Sequence, residues 1–309
     1  MGVSNRYILQ QGAVLAALGH TVTSALRKGA APGAQPPTLP GPEVRREQQP
    51  LPRDLIDTYV AHLGSDPRAY RGQVPPHLFP QWCFPALTRT LDGLPYPMLR
   101  VVNGGCRVEV REAIRDDEPI VVRAWLESID DDGRRAVFHQ RVLTGTPSAP
   151  EALSIDVYPI VPLGSGEGKL GETPPKKRER ARVPDDAREL LRYQLTRADA
   201  LAFAKLTGDF NPIHWIPPYA RMSGFRNVIL HGFGSLARAW EGLCRSRFAG
   251  DPRAIASMDV KFTRPLTLPR DVGLYLKGDE ITLGDAPSAP AYLTGRFTTR
   301  STHPSGEQA

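Results

Sequence analysis

Asp209 and His214 stand five positions apart in the stretch FAKLTGDFNPIHW, residues 203–215. On an unbroken helix that spacing would turn the two side chains apart, because neighbours on one face lie about three or four positions from each other. Here Gly208 lets a helix end in a left-handed conformation, Asn211 favours a turn and Pro212 blocks further helix. The chain must therefore fold back between the two residues and can aim both into one cleft. A carboxylate and an imidazole so placed can share a water molecule, one withdrawing a proton and the other orienting the water or protonating. Asn211 is expected to satisfy backbone groups within the turn, and its place in the same loop puts it among the substrate-contacting candidates.

A second element follows at residues 228–234, VILHGFG, leading into the apolar stretch GFGSLARAWEGLC. The first amides of a helix have no intrahelical acceptor and lie at the positive end of its dipole. Gly232, lacking a side chain, would let an oxyanion approach its N–H closely. His231 is expected either to fix the helix entry or to touch substrate. Phe233 and Trp240, further along the stretch, complete the substrate-contacting candidates.

The elements that must position these groups can be traced on both sides. Leu190 to Thr196 reads as a strand, with Thr196 capping a helix that runs to Leu206 and Asp199 three positions on. After the helix at 232–244 come a strand at 256–264, in which Met258, Val260 and Phe262 alternate with polar residues, and strands at 272–278 and 291–299. The N-terminal half gives helices at 54–63 and 78–91, an alternating Val108/Val110 strand, and strands at 120–126 and 136–143. His77 precedes His231 by 154 positions and Val108 precedes Val260 by 152, so the halves read as an internal repeat. Each unit fits an antiparallel sheet wrapped around a central helix, an α+β architecture, and two units could join sheet edge to sheet edge.

The expected organisation is an apolar N-terminal helix and flexible tether over 1–50, a degenerate unit over 51–163, a basic linker over 164–186 and a catalytic unit over 187–309. In the degenerate unit Asp57 and His62 repeat the five-position spacing, but both fall inside the first helix with no Asn-Pro reversal between them, and Leu78 replaces the glycine after His77. Both are expected to pack or face solvent. Trp82, Phe84 and Leu87 are expected core residues that would also line a tunnel, so this half is expected to wall the far end of the site.

Composition narrows the function classes. Three cysteines, Cys83, Cys106 and Cys244, show neither disulfide nor metal spacing and suit a reducing cytoplasm. Residues 7–26 are too polar to span a bilayer and fit a secretory leader poorly, whereas an amphipathic helix fits. The net charge of +6 owes part of its excess to the run from Lys176 to Arg182, which has no interleaved aromatics, so nucleic acid is not the expected partner. The glycines at 164, 166 and 168 before Lys169 miss the phosphate-loop pattern at Leu163 and Leu170.

The GDxNPIH motif, followed downstream by a hydrophobic-His-Gly helix start, resembles the MaoC-like family of (R)-specific enoyl-CoA hydratases and 3-hydroxyacyl dehydratases. The resemblance implies the hotdog fold in tandem form, with Asp209 and His214 as the catalytic pair activating water and the Gly232 N–H as oxyanion donor. It implies reversible hydration of a trans-2-enoyl thioester to the (R)-3-hydroxyacyl thioester. The partner would be an acyl-coenzyme A or acyl carrier protein substrate, and no metal or redox cofactor is implied. Trp240 departs from the small or hydroxyl-bearing residue expected near the pocket in such hydratases. A thioesterase and an idle acyl-binding or scaffold subunit are the alternatives, and a homodimer is among the assemblies allowed.

Overall fold

The computed structural model describes residues 2–17, 19, 37–163 and 180–300. Residues 20–36 of the expected N-terminal helix and tether, and residues 164–179 of the expected linker with Lys176 to Glu179 of the basic run, lie outside those residues.

Ten strands form one antiparallel sheet, and its order shows the repeat directly. The N-terminal half contributes β1 (Val44–Gln48), β3 (Val102–Val110), β5 (Ile120–Asp131), β6 (Arg135–Thr146) and β7 (Ala149–Pro162). A short β2 (Gln73–Val74) pairs apart from the sheet with β4 (Ile114–Arg115). The C-terminal half contributes β8 (Arg188–Leu195), β9 (Ile255–Phe262), β10 (Arg270–Lys277), β11 (Glu280–Gly284) and β12 (Ala291–Thr299). The order β1-β5-β6-β7-β3-β9-β12-β11-β10-β8 reads as the same five-strand pattern forwards and then backwards. The halves join where β3 pairs with β9, with Val108 opposite Met258 and Cys106 opposite Val260. A side chain at Gly105 would collide with the Val260 carbonyl, so this join needs a glycine.

Each half lays two main helices on the sheet: α1 (Arg53–His62) and α2 (Pro80–Arg89), then α3 (Arg197–Thr207) and α5 (Gly232–Arg247), with a one-turn α4 (Pro217–Met222) between the latter pair. Alternating burial along β5 and β6 shows why: one sheet face is apolar and must be covered. One hydrophobic core runs through both halves and includes Tyr59, Trp82, Phe203 and Trp240, all fully buried. A second, smaller cluster of Leu126, Ala136, Phe138 and Val161 lies beneath residues 91–101.

Several expectations are corrected. Val44–Gln48 lies in the segment read as tether, yet it forms edge strand β1, because backbone pairing to β5 needs no long apolar run. Strands β7 and β11 were not legible: prolines at both ends of β7 masked it, and β11 has only five residues. His62 is the last residue of α1 rather than an interior one. At the linker's end, Val183 is 1% exposed and bridges to Pro287, so residues 182–183 dock on the C-terminal half.

The N-terminal segment is packed against the core. Residues Asn5–Gln11 form a 3-10 turn that continues as helix to residue 17. The Tyr7 hydroxyl lies 2.7 Å from that of Thr58 and donates to the Asp54 carbonyl. Gln11, 1% exposed, donates from Nε2 to the carbonyls of Lys205 and Leu206 at 3.2 and 3.1 Å, capping the end of α3, and accepts from Gln81. Helix-end carbonyls need such partners when buried. Gln11→Ala should destabilise the protein by about 1–3 kcal/mol, seen as a lower urea midpoint with an unchanged slope.

Candidate active site

Local sequence explains how each group arrives. Helix α3 starts at Thr196, whose N–H and hydroxyl both donate to the Asp199 carboxylate at 2.8 Å, and it stops at Gly208 with φ +82°. A side chain at Gly208 would strike Val14. Asp209 follows, its Oδ1 accepting the Asn211 N–H at 3.4 Å, while the Asn211 side chain accepts from Ile213 at 3.3 Å. The 3-10 turn Pro212–His214 then brings the imidazole back.

Three polar side chains converge. His214 Nδ1–H donates to the Ile229 carbonyl at 2.8 Å, an acceptor-only partner that assigns the tautomer and leaves Nε2 free to accept. His231 Nε2–H donates to the main-chain oxygen of Asp209 at 2.9 Å, and its ring stacks on His214 with centroids 3.6 Å apart and planes 22° apart. Polar atoms of Asp209, His214 and His231 all lie within 4.8 Å of one another. Two stacked imidazoles present their lone pairs side by side rather than converging, and each already gives one nitrogen to a carbonyl. That geometry suits proton handling better than a metal centre.

Asp209, Asn211, His214, Gly232 and Phe233 line one cavity of about 1130 Å³. A methyl at Gly232 would lie 2.7 Å from the Phe262 ring, so glycine keeps the start of α5 open to the cavity. Phe233 packs edge-on against Phe79, with centroids 5.0 Å apart. His231 does not line the cavity; it stands behind His214 as its support. Trp240 does not line it either, contrary to expectation: it is fully buried and packs against His77 in the core between the halves. On α5 it is Ser235, one turn past Gly232, that brings a hydroxyl to the cavity wall, which helical spacing from that glycine would have indicated. Among the N-terminal residues, Asp57 pairs with Arg53 at 2.7 Å and His62 lies against Arg238, so neither enters the site.

Burial dominates the electrostatics. It pushes the Asp209 carboxyl up, opposed by the nearby His214 and the Asn211 N–H. It pulls His214 down, opposed by Asp209 and by the Ile229 carbonyl. His231 is held well below the ordinary histidine range by burial and by His214. Burial thus moves the pKa values of the carboxyl and the imidazole towards each other, as suits proton exchange.

A ten-stranded sheet whose two halves join at β3 and β9 and wrap central helices, with an acid/base pair at the mouth of one helix, defines a tandem hotdog protein. Residues 179–288 match the MaoC like domain. The solved structure of HtdX from Mycobacterium tuberculosis superposes with TM-score 0.63 at 22% identity, covering 83% of this chain and 99% of that one. A MaoC-like dehydratase from Phytophthora capsici gives TM-score 0.64 at 17% identity, covering 84% and 96%. In sequence, the 3-hydroxyacyl-thioester dehydratase X of Mycobacterium tuberculosis is 27% identical over 83% of this chain and 89% of its own length. The probable enoyl-CoA hydratase 2 of Dictyostelium discoideum is 23% identical over 60% of this chain, and the match spans 64% of that relative's length. The part of the chain that resembles the MaoC-like family in sequence is thus the C-terminal half, which carries Asp209, His214 and Gly232. Among the described residues, no helix is long and apolar enough to cross a membrane.

The histidine shifts fix a pH dependence of stability. His62, lowered to about 4 by burial and the Arg238 charge, joins His214 and His231 in being harder to protonate when folded. A depressed histidine favours folding fully above its unfolded pKa and loses that contribution as pH falls. The urea midpoint should therefore drop as pH falls through about 6.5, and continue downwards towards pH 4. Asp209, whose carboxyl is raised by burial, acts in the opposite sense.

Proposed function

We propose that the chain hydrates trans-2-enoyl thioesters to (R)-3-hydroxyacyl thioesters, or runs the reverse dehydration, on coenzyme A or acyl carrier protein substrates. The observation that carries this reading is one cavity lined by a carboxylate, an imidazole and the open start of a sixteen-residue helix. The names of the two relatives, a hydratase and a thioester dehydratase, support it.

Chemistry follows from the geometry. Water held between Asp209 and His214 Nε2 adds its oxygen to C3 of the enoyl group as His214 takes a proton. The proton that His214 has taken then passes by way of Asp209, whose carboxyl pKa burial raises, to C2, so that one water supplies both added groups and the pair returns to its starting state. Between these events negative charge collects on the thioester oxygen, where the Gly232 N–H at the helix start stabilises it. Proton transfer and charge stabilisation suffice for each step. Asn211 and Phe233 shape the wall beside the reacting atoms, and His231 keeps the His214 ring in place. The N-terminal half, without the Asn-Pro reversal or the glycine, supplies wall for the acyl tail.

An enoyl-CoA absorbance assay tests the reading. Loss of the conjugated signal with the thioester intact is the expected result, and chiral analysis of the product should return the (R) form. Free thiol without hydration would instead indicate a thioesterase. Asp209→Asn and His214→Ala should each lower kcat by about 10²–10⁴-fold while leaving the urea midpoint close to that of the parent. Near-normal hydration by either variant would remove that residue from the mechanism.

A further inference from the structure

Asp209 and His214 are held in place by different means. His214 is fixed through its own side chain, by the Ile229 carbonyl at 2.8 Å and by the His231 ring stacked on it. Among the described residues the Asp209 carboxylate has one hydrogen bond, a long one of 3.4 Å from the Asn211 N–H. His231 Nε2 stands 4.0 Å from it and already donates to the main-chain oxygen. So weak a hold leaves the carboxylate's place in the cavity to the backbone that carries it, above all to the peptide at Gly208.

That peptide is gripped by the N-terminal segment, which lies ahead of the first strand of the sheet. A methyl on Gly208 would stand 2.7 Å from Val14 Cβ and 3.0 Å from Gln11 Oε1, so glycine is needed for the approach of these two side chains as well as for its φ of +82°. Gln11 Nε2 faces two acceptor-only groups, the carbonyls of Lys205 and Leu206, which fixes the orientation of its amide. Its Oε1 then accepts from Gln81 Nε2 at 3.4 Å, and Gln81 Oε1 accepts from Gln48 Nε2 at 2.9 Å. Three glutamines thus form a directed relay from edge strand β1 through α2 to the last turn of α3. The segment itself is pinned at Val3, whose carbonyl accepts from Lys205 Nζ at 2.8 Å, and at Arg6, paired with Asp54 at 2.8 Å. In the other half the matching glycine, Gly64, is met instead by Arg245, whose Nη1 donates to the Gly64 carbonyl. Both left-handed turns are buttressed, but the one that launches Asp209 is buttressed from the N-terminal segment.

We infer that Gln11 and Val14 are positioning residues for Asp209, which makes the N-terminal segment a working part of the active site although neither side chain lines the cavity. The kinetic side of this inference rests on the proposed hydration; the placement of the turn does not.

Two measurements separate positioning from simple stability. Hydrogen exchange followed by NMR reads the amides of Gly208, Asn211 and His214 whether or not any substrate is turned over. In Gln11→Met, which keeps the bulk and loses the hydrogen bonds, and in Val14→Ala, these amides should exchange at least about tenfold faster than in the parent. In Ile281→Val, a control that trims the buried core at β11 away from the cavity, they should keep the parent rate. Unchanged exchange in Gln11→Met and Val14→Ala would overturn the inference, and so would equal acceleration in Ile281→Val, which would mark the effect as lost stability. Kinetics follow with crotonyl-CoA or a longer trans-2-enoyl-CoA, at a temperature where every variant is folded. Gln11→Met and Val14→Ala should lose about ten- to a hundredfold in kcat with KM within about twofold of the parent, while Ile281→Val keeps both. Gln11→Glu preserves shape but turns an acceptor towards two carbonyls, so it should fare no better than Gln11→Met. Parental kcat in Gln11→Glu would show that those hydrogen bonds do not position the turn. Faster exchange with parental kcat in Gln11→Met and Val14→Ala would remove both residues from the mechanism. Faster exchange in a protein that hydrates no substrate would sink the proposed reaction and leave the brace standing.

Discussion

At Gly208 the backbone leaves α3 with φ +82°, a conformation that costs a non-glycine residue roughly 1–2 kcal/mol. From that turn the remaining contacts follow in a closed ring. Asp209 exits towards the cavity, and its main-chain oxygen holds His231. His231 supports the face of His214, and His214 is tied to the Ile229 carbonyl, three residues before Gly232 opens α5. Carboxylate, imidazole and helix start are thus fixed relative to one another by local chain geometry and three short contacts. The ring is also braced from outside, since Gln11 caps the carbonyls just upstream of Gly208 and Val14 packs against the glycine itself.

The same scaffold has been used twice with opposite outcomes. Tyr59 takes the place of Phe203 and Gly64, at φ +83°, that of Gly208, so the backbone of the N-terminal half retains the turn. What it lacks is the reversal and the open helix start. The ground that would have been a second site is occupied by a buried network of Tyr59, Tyr70, His77 and Glu241. Burial alone would push Glu241 up, but hydrogen bonds from His77 and Tyr70 bring it below the ordinary range. A buried charge persists only when so surrounded, and the network ties α5 to the N-terminal half.

Local chemistry was readable from the chain itself. The cap at Thr196 and Asp199, the left-handed exit at Gly208, the turn at Asn211 and the helix start after His231 each depend on residues within a few positions of one another, and all are present as expected. The repeat was legible for the same reason, as an offset between similar local patterns. Trp240 was misread because its side-chain type says nothing about which face of α5 meets the cavity, and β1 was missed because edge pairing leaves little trace in composition.

Tertiary structure alone decided the rest. No spacing rule brings Gln11 to the end of α3 or puts Leu91, Tyr96 and Met98 on the wall of the same cavity as Asp209, since these segments are more than a hundred positions apart. Stacking of His231 on His214 likewise depends on how two helices cross, not on the loop that carries each ring. Sequence by itself determined which groups could handle a proton and where the chain must turn, because backbone sterics and hydrogen bonding act over short range. How large the cavity is, and which residues wall it, were settled only when the halves packed, because those properties belong to the space between segments.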